Sequence, residues 1–150
     1  MDAVDRKLLA LLQAEGRLTI TELAARIHLS VSRCQRRMRE LEASGALRGY
    51  RADVDPSKVG LGFNAMVFVT MRQEDHETVQ RFETQVAATP QIVAAQRLFG
   101  DPDYLLHVVA ADLDAYRRIY DEQLASLPGV QRLRSTLVMK DVVGPRGLPL

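Results

Sequence analysis

The 150-residue chain is predicted to adopt an α+β fold in two parts. Three observations predict it. Apolar residues at helical spacing fill the first part, strand-like alternation interrupted by two helical stretches fills the second, and the charge changes sign between them. Residues 1–52 carry ten Lys/Arg against six Asp/Glu, net +4, whereas residues 53–150 carry ten against thirteen, net −3. The overall charge of +1 therefore hides a basic head and an acidic body, and only the head suits a polyanion.

In the head, Val4, Leu8, Leu11 and Leu12 form the apolar stripe of a first helix that ends near Gly16. Thr19-Ile20-Thr21-Glu22 reads as a capping box, in which the threonine hydroxyl accepts a backbone N–H while the glutamate bonds back. Leu23, Ala24 and Ile27 then share one face of a second helix. The chain turns at His28-Leu29, Ser30 caps a third helix running to about Ser44, and Gly45 supplies a left-handed stop. Within this third helix Cys34, Met38 and Leu41 fall at i, i+4 and i+7, the buried stripe. At about 100° per residue, Ser32, Arg36, Arg39 and Glu40 point away from it, with Arg33 and Arg37 on the flanks. Ala46 to Ala52 alternates like a strand around a glycine. Residues 1–52 are thus expected to be a winged helix-turn-helix head, and the breaker-rich stretch Asp55 to Gly62 places a hinge over 53–62.

Beyond the hinge, Phe63 to Arg72 alternates as a strand. Glu77 to Ala88 is helical with Val79, Phe82 and Val86 inward, and Ile92 to Phe99 is a second strand. The turn Gly100-Asp101-Pro102-Asp103 leads to a third strand, Tyr104 to Ala111. Leu113 to Leu127 is helical, Pro128-Gly129 stops it, and Val130 to Val142 is the last strand. This order, βαββαβ over 63–150, is the ferredoxin-like arrangement. Both helices of such a fold lie on one sheet face. Because Leu105 and Val109 make the other face apolar as well, a second copy of the chain is expected to cover it.

Four arginines on one short exposed helix repel each other in water, and a polyanion alongside relieves the repulsion. A solvated basic face is the plainer alternative, but helix spacing, turn length and caps agree with a DNA reader. Ser32, Arg33 and Arg36, in the first two turns, are placed for base edges in the major groove, where arginine pairs bidentately with guanine. Arg37 and Arg39 are expected to hold phosphates.

Other chemistries lack support in the sequence. Neither a catalytic site nor a cofactor is expected: His76 and His107 are isolated, no cluster has metal-ligand spacing, and no nucleophile accompanies Asp101 and Asp103. No apolar run approaches the ~18 residues of a membrane span, and Met1 to Asp5 lacks the positive start of a signal peptide. The single cysteine forms no internal disulfide, and a cytoplasmic location is expected.

The chain resembles the Lrp/AsnC (feast/famine) transcription regulators along essentially its whole length. The resemblance rests on Asp5 to Leu9, Glu22-Leu23-Ala24, Leu29 to Ser32 with Cys34 and Arg37, Arg39 to Glu42, Gly45 and Gly49-Tyr50. In the second part it rests on Gly100 to Leu106, Leu127 to Val130 and Val138-Met139. It departs at His28, where the family usually has glycine. The resemblance implies homodimers that often assemble into octamers, with an amino acid or related small molecule bound between subunits to shift assembly or DNA affinity. Gly100, Asp101, Asp103 and Tyr104 match the family's effector loop. Their chemistry fits independently, since a carboxylate suits the ammonium of an amino acid and a glycine turn exposes N–H groups to its carboxylate. The expected function is a sequence-specific, DNA-binding transcriptional regulator rather than an enzyme. Two rivals are a nonspecific chromatin-like DNA organiser and an enzyme similar to the sirohaem decarboxylases, which share the overall fold.

Overall fold

The computed structural model describes residues 1–72, 75–144 and 146–150 and divides into two compact units. The first comprises Met1–Asp53 together with Val142–Leu150, and the second Val54–Asp141. Among the described residues no helix is long and apolar enough to cross a membrane.

The first unit is built on three helices, α1 (Ala3–Ala14), α2 (Ile20–Arg26) and α3 (Val31–Ala43). Each starts at a side-chain cap. The expected Thr19–Glu22 box closes at 3.3 Å and 2.7 Å, and the Ser30 hydroxyl accepts the Arg33 N–H at 3.4 Å. A second box, formed by Asp2 and Asp5, opens α1. The stripes meet in one core, with Leu8, Leu23 and Cys34 essentially sealed and Leu12, Ile27, Met38 and Leu41 around them. Gly45 takes φ 72°, ending α3 as the left-handed stop.

His28, in the turn between α2 and α3, has φ 57°. The backbone there adopts the left-handed conformation that favours glycine, and histidine bears the steric cost. His28→Gly is expected to raise the stability of this unit by about 0.5–1 kcal/mol, the Cβ strain less the extra chain entropy of glycine. Denaturant unfolding checks it.

Residues 46–52 form no strand. The alternation was there, but a strand needs a ladder partner and the unit's other elements are helices. The last nine residues also fall elsewhere than in the expected 63–150 body, grouping with the helices of the first unit. Leu148 is bonded to Gln13 of α1, and Leu148 and Leu150 line a hollow with Leu9, Leu12 and Leu47.

The second unit is a four-stranded sheet of order β2-β3-β1-β4, with β1 Phe63–Met71, β2 Ile92–Arg97, β3 Tyr104–Ala110 and β4 Val130–Leu137. All neighbours are antiparallel. Helices α4 (His76–Ala88) and α5 (Leu113–Ile119) supply Phe82, Val86, Tyr116 and Ile119 to a core that buries Ala65, Val67, Val69, Tyr104, Leu106 and Val108. The alternate residues Met66, Phe68, Leu105 and His107 lie on the other face and are half-buried.

Three boundaries differ from the expectation. β2 stops at Arg97 because the Leu98 N–H bonds the Asp103 carbonyl at 2.7 Å, which puts Leu98 and Phe99 in the turn. β4 stops at Leu137, where its partner β1 begins; the last bond is Val138 N–H to the Asn64 carbonyl. The second long helix widens into a π turn over Tyr120–Leu124. Ile119 and Leu124, five positions apart, are both buried, and the wider turn keeps them on one face.

Candidate DNA-reading helix and effector pocket

The exposed side of α3 presents Ser32, Arg33, Arg36 and Arg39 to solvent. The buried stripe Cys34, Met38 and Leu41 anchors the opposite side, so the orientation of these groups is fixed by packing rather than by the arginines themselves. Arg36 makes a 3.2 Å ion pair with Glu40 one turn on, with both side chains more than half exposed. Such a pair is worth only about 0.3–0.5 kcal/mol and yields easily to a stronger anion. Among the described residues, Arg33 and Arg39 make no ion pair.

Arg37, expected to hold a phosphate, is engaged by two carboxylates in the structure. Its guanidinium sits 2.8 Å from Asp2 and 2.7 Å from Asp5, at the first turn of α1. The bonds from Asp5 and then Asp2 raise the arginine's proton affinity. Asp2 is held below the usual carboxylate range by the Asp5 backbone N–H, with Arg37 adding to the effect. Arg37 is therefore a brace between α3 and α1. The same two aspartates cap α1, which is how the chain reconciles acidic groups with a basic head.

In the second unit, the turn 100–103 is tied to the end of β1. The Asp103 N–H donates to the Val69 carbonyl at 2.9 Å, and the Asp103 carboxylate accepts the Met71 N–H at 2.7 Å. Gly100 takes φ 132°, a conformation open to glycine. Met71, Val79, Arg97, Leu98, Phe99, Gly100, Asp103 and Tyr104 line a hollow of about 620 Å³. Gly100, Asp103 and Tyr104 thus come together as expected, but Asp101 does not join them. Asp101 borders a separate hollow of about 200 Å³ with Phe68, Thr70, Arg132 and Arg134. The turn separates the two carboxylates because Asp103 is drawn in by the Met71 amide while Asp101 stays exposed.

Arg97 was not singled out in the sequence. It stands at the end of β2 opposite Tyr104 and places its guanidinium 5.9 Å from that ring's centre. The only sequence signal was a lone charge ending an apolar run. With Asp103 it gives the hollow both signs of charge, the arrangement a zwitterion requires.

Tyr104 is 3 % exposed, donates its hydroxyl to Glu83 at 2.8 Å and packs on Phe82. Burial, reinforced by Glu83, pushes the phenol up from 10.0 to about 12. The folded chain therefore holds this proton more tightly than the unfolded one. Its contribution to stability is complete below pH 10 and is lost as the pH rises toward 12. Absorbance titration of tyrosinate is expected to show a step near pH 12 that Tyr104→Phe removes.

Two family models match. A winged helix-turn-helix DNA-binding domain aligns with residues 1–48 and an Lrp/AsnC ligand binding domain with residues 64–148. The DNA-binding transcriptional activator DecR of Escherichia coli K12 is 35% identical over 150 residues, covering 100% of this chain and 99% of that one. The leucine-responsive regulatory protein of the same strain is 34% identical over 142 residues, 95% of this chain and 87% of that one. Among solved structures, the transcriptional regulator NMB0573 of Neisseria meningitidis, in complex with L-Met, superposes with a TM-score of 0.93 at 36% identity, covering 99% and 96% of the two chains.

Proposed function

Because the chain belongs to the Lrp/AsnC family of transcriptional regulators, we propose that α3 reads its DNA site and that the hollow beside Asp103 takes the small-molecule effector. The observation that carries this reading is the exposed row Ser32, Arg33, Arg36 and Arg39 on a helix whose other side is locked into a core. Ser32, Arg33 and Arg36 reach base edges, and Arg39, one turn beyond Arg36, holds a phosphate. Arg37 supports them by fixing α3 against α1.

The effector is an amino acid or a close relative, as with the L-Met complex of the Neisseria regulator. Asp103 attracts the ammonium, Arg97 the carboxylate, and Met71, Val79 and Phe99 surround the side chain. Effector binding changes DNA affinity only insofar as the ligand favours one assembly or head orientation over another.

The working unit is a homodimer that assembles further, up to an octamer. The apolar residues Met66, Phe68 and Leu105 on the face of the sheet away from α4 and α5 support this. A two-fold assembly also presents two recognition helices to two half-sites.

The test of DNA reading is the salt dependence. Arg39→Ala is expected to weaken binding to all sequences alike and to reduce the slope of log K against log salt by about 0.9, the signature of one lost phosphate contact. An unchanged slope removes Arg39 from the phosphate-binding set.

A further inference from the structure

The carboxyl-terminal segment is fastened to the DNA-reading unit by a pairing that nothing in the head's own fold requires. The side-chain amide of Gln13, at the last turn of α1, bonds the backbone of Leu148 at both ends. Its Nε2 donates to the Leu148 carbonyl at 3.2 Å, and its Oε1 accepts the Leu148 N–H at 2.6 Å. A primary amide has a donor and an acceptor side by side, so it can mimic a neighbouring strand for one residue. The approach is close. A Cβ added at Gly147 would come within 2.9 Å of the Gln13 Cδ and Oε1 and 3.0 Å of its Cβ, so a side chain there would push the Gln13 amide aside. Beyond the clamp, Leu148 and Leu150 border a hollow of about 720 Å³ with Leu9, Leu12, Leu47 and Tyr50.

This seat is shallow. Leu148 remains 72% exposed and Leu150 49%. Little apolar surface is withdrawn from water, so the segment is held mainly by one amide clamp and by being part of the same chain, which keeps its local concentration high.

We propose that residues 146–150 form a strap that closes in cis on the first unit through Gln13 and, when closed, limits the freedom of the DNA-reading helix. The proposal rests on the DNA-reading role of α3. Closed, the head is joined to the second unit by two stretches of chain, the hinge over 53–62 and the stretch that follows β4. Open, it is joined by the hinge alone. Two tethers leave fewer head positions than one, so less entropy is lost when both heads of a dimer engage two half-sites. α1 is then gripped at both ends, by Arg37 at its first turn and by Leu148 at its last.

The full-length double variant Gln13→Cys/Gly147→Cys tests this, because the two Cβ positions lie close enough for a disulfide to form after a small adjustment. Oxidation is expected to give an internally crosslinked monomer on a denaturing gel. Crosslinked dimers would mean the strap belongs to a second copy, and failure to crosslink would mean it does not close; either overturns the proposal. The oxidised form is expected to bind a duplex with two half-sites at least about threefold more tightly than the reduced form, and a single half-site equally well. Gln13→Ala, a favourable helix substitution, is expected to match the reduced form on both duplexes. Equal affinity of oxidised and reduced forms for the two-half-site duplex overturns the strap's role. If the crosslink forms but neither form binds any duplex, the strap stands and the DNA-reading assignment of α3 falls.

Discussion

Arg36→Ala is expected to weaken binding to the cognate site by about 1–3 kcal/mol, roughly a 5- to 150-fold rise in Kd, while barely changing affinity for bulk DNA. The asymmetry follows from position. Arg36 stands in the second turn of α3, away from the buried stripe, and among the described residues its one ion-pair partner is Glu40. That partner is exposed and lies on the same helix, so breaking the pair costs little, and alanine is at least as good a helix former as arginine. The variant should melt like the parent, which separates a recognition defect from a folding defect. A footprint in which the variant keeps its base preference at every position would remove Arg36 from base reading. Arg39 supplies the contrast, since its loss should lower all affinities together.

Asp103 has two duties, and its substitutions are expected to separate them. Asp103→Ala leaves the Met71 N–H without its carboxylate partner, and Met71 is only 6 % exposed. Loss of a hydrogen bond to a charged acceptor costs about 1.5–3 kcal/mol, so this variant should be destabilised whether or not an effector is present. Asp103→Asn keeps an acceptor for Met71 and removes the charge. It should fold normally yet lose most of the thermal stabilisation that a cognate amino acid confers on the parent. A thermal-shift screen across amino acids and 2-oxo acids, run on both variants, reads the two effects separately. Undiminished stabilisation of Asp103→Asn would place the ammonium partner elsewhere in the hollow, or the effector in a different site.

Much of this architecture was legible in the chain because it is written in short-range patterns. The Thr19–Glu22 box, the Ser30 cap, the Cys34–Met38–Leu41 stripe and the αL stop at Gly45 each depend on neighbours within one or two turns. The βαββαβ order followed from alternation and breakers in the same way, and the family resemblance agreed with both. His28 marked a turn that wants glycine, and its φ is positive. What escaped depends on partners far away in sequence. Arg37 pairs with two aspartates that lie 32 and 35 positions earlier, in a segment whose sequence shows only the start of a helix. Asp101 and Asp103 looked equivalent until the Met71 amide drew one of them inward. Arg97 gained meaning only when β2 was laid beside β3. The strand expected over 46–52 had the right alternation but no partner, and the end of the chain, read as part of a strand and its continuation, bonds through Leu148 to Gln13, 135 positions earlier.

Cys34, the chain's single thiol, is fully enclosed beneath α3, and burial pushes its ionisation up. A thiol-reactive dye will therefore modify the native protein only during moments when the helical core breathes. The modification rate becomes a clock for opening of the DNA-reading unit alone, with no signal from the sheet. Followed with and without operator, it measures how much bound DNA quiets that breathing, with no engineered label.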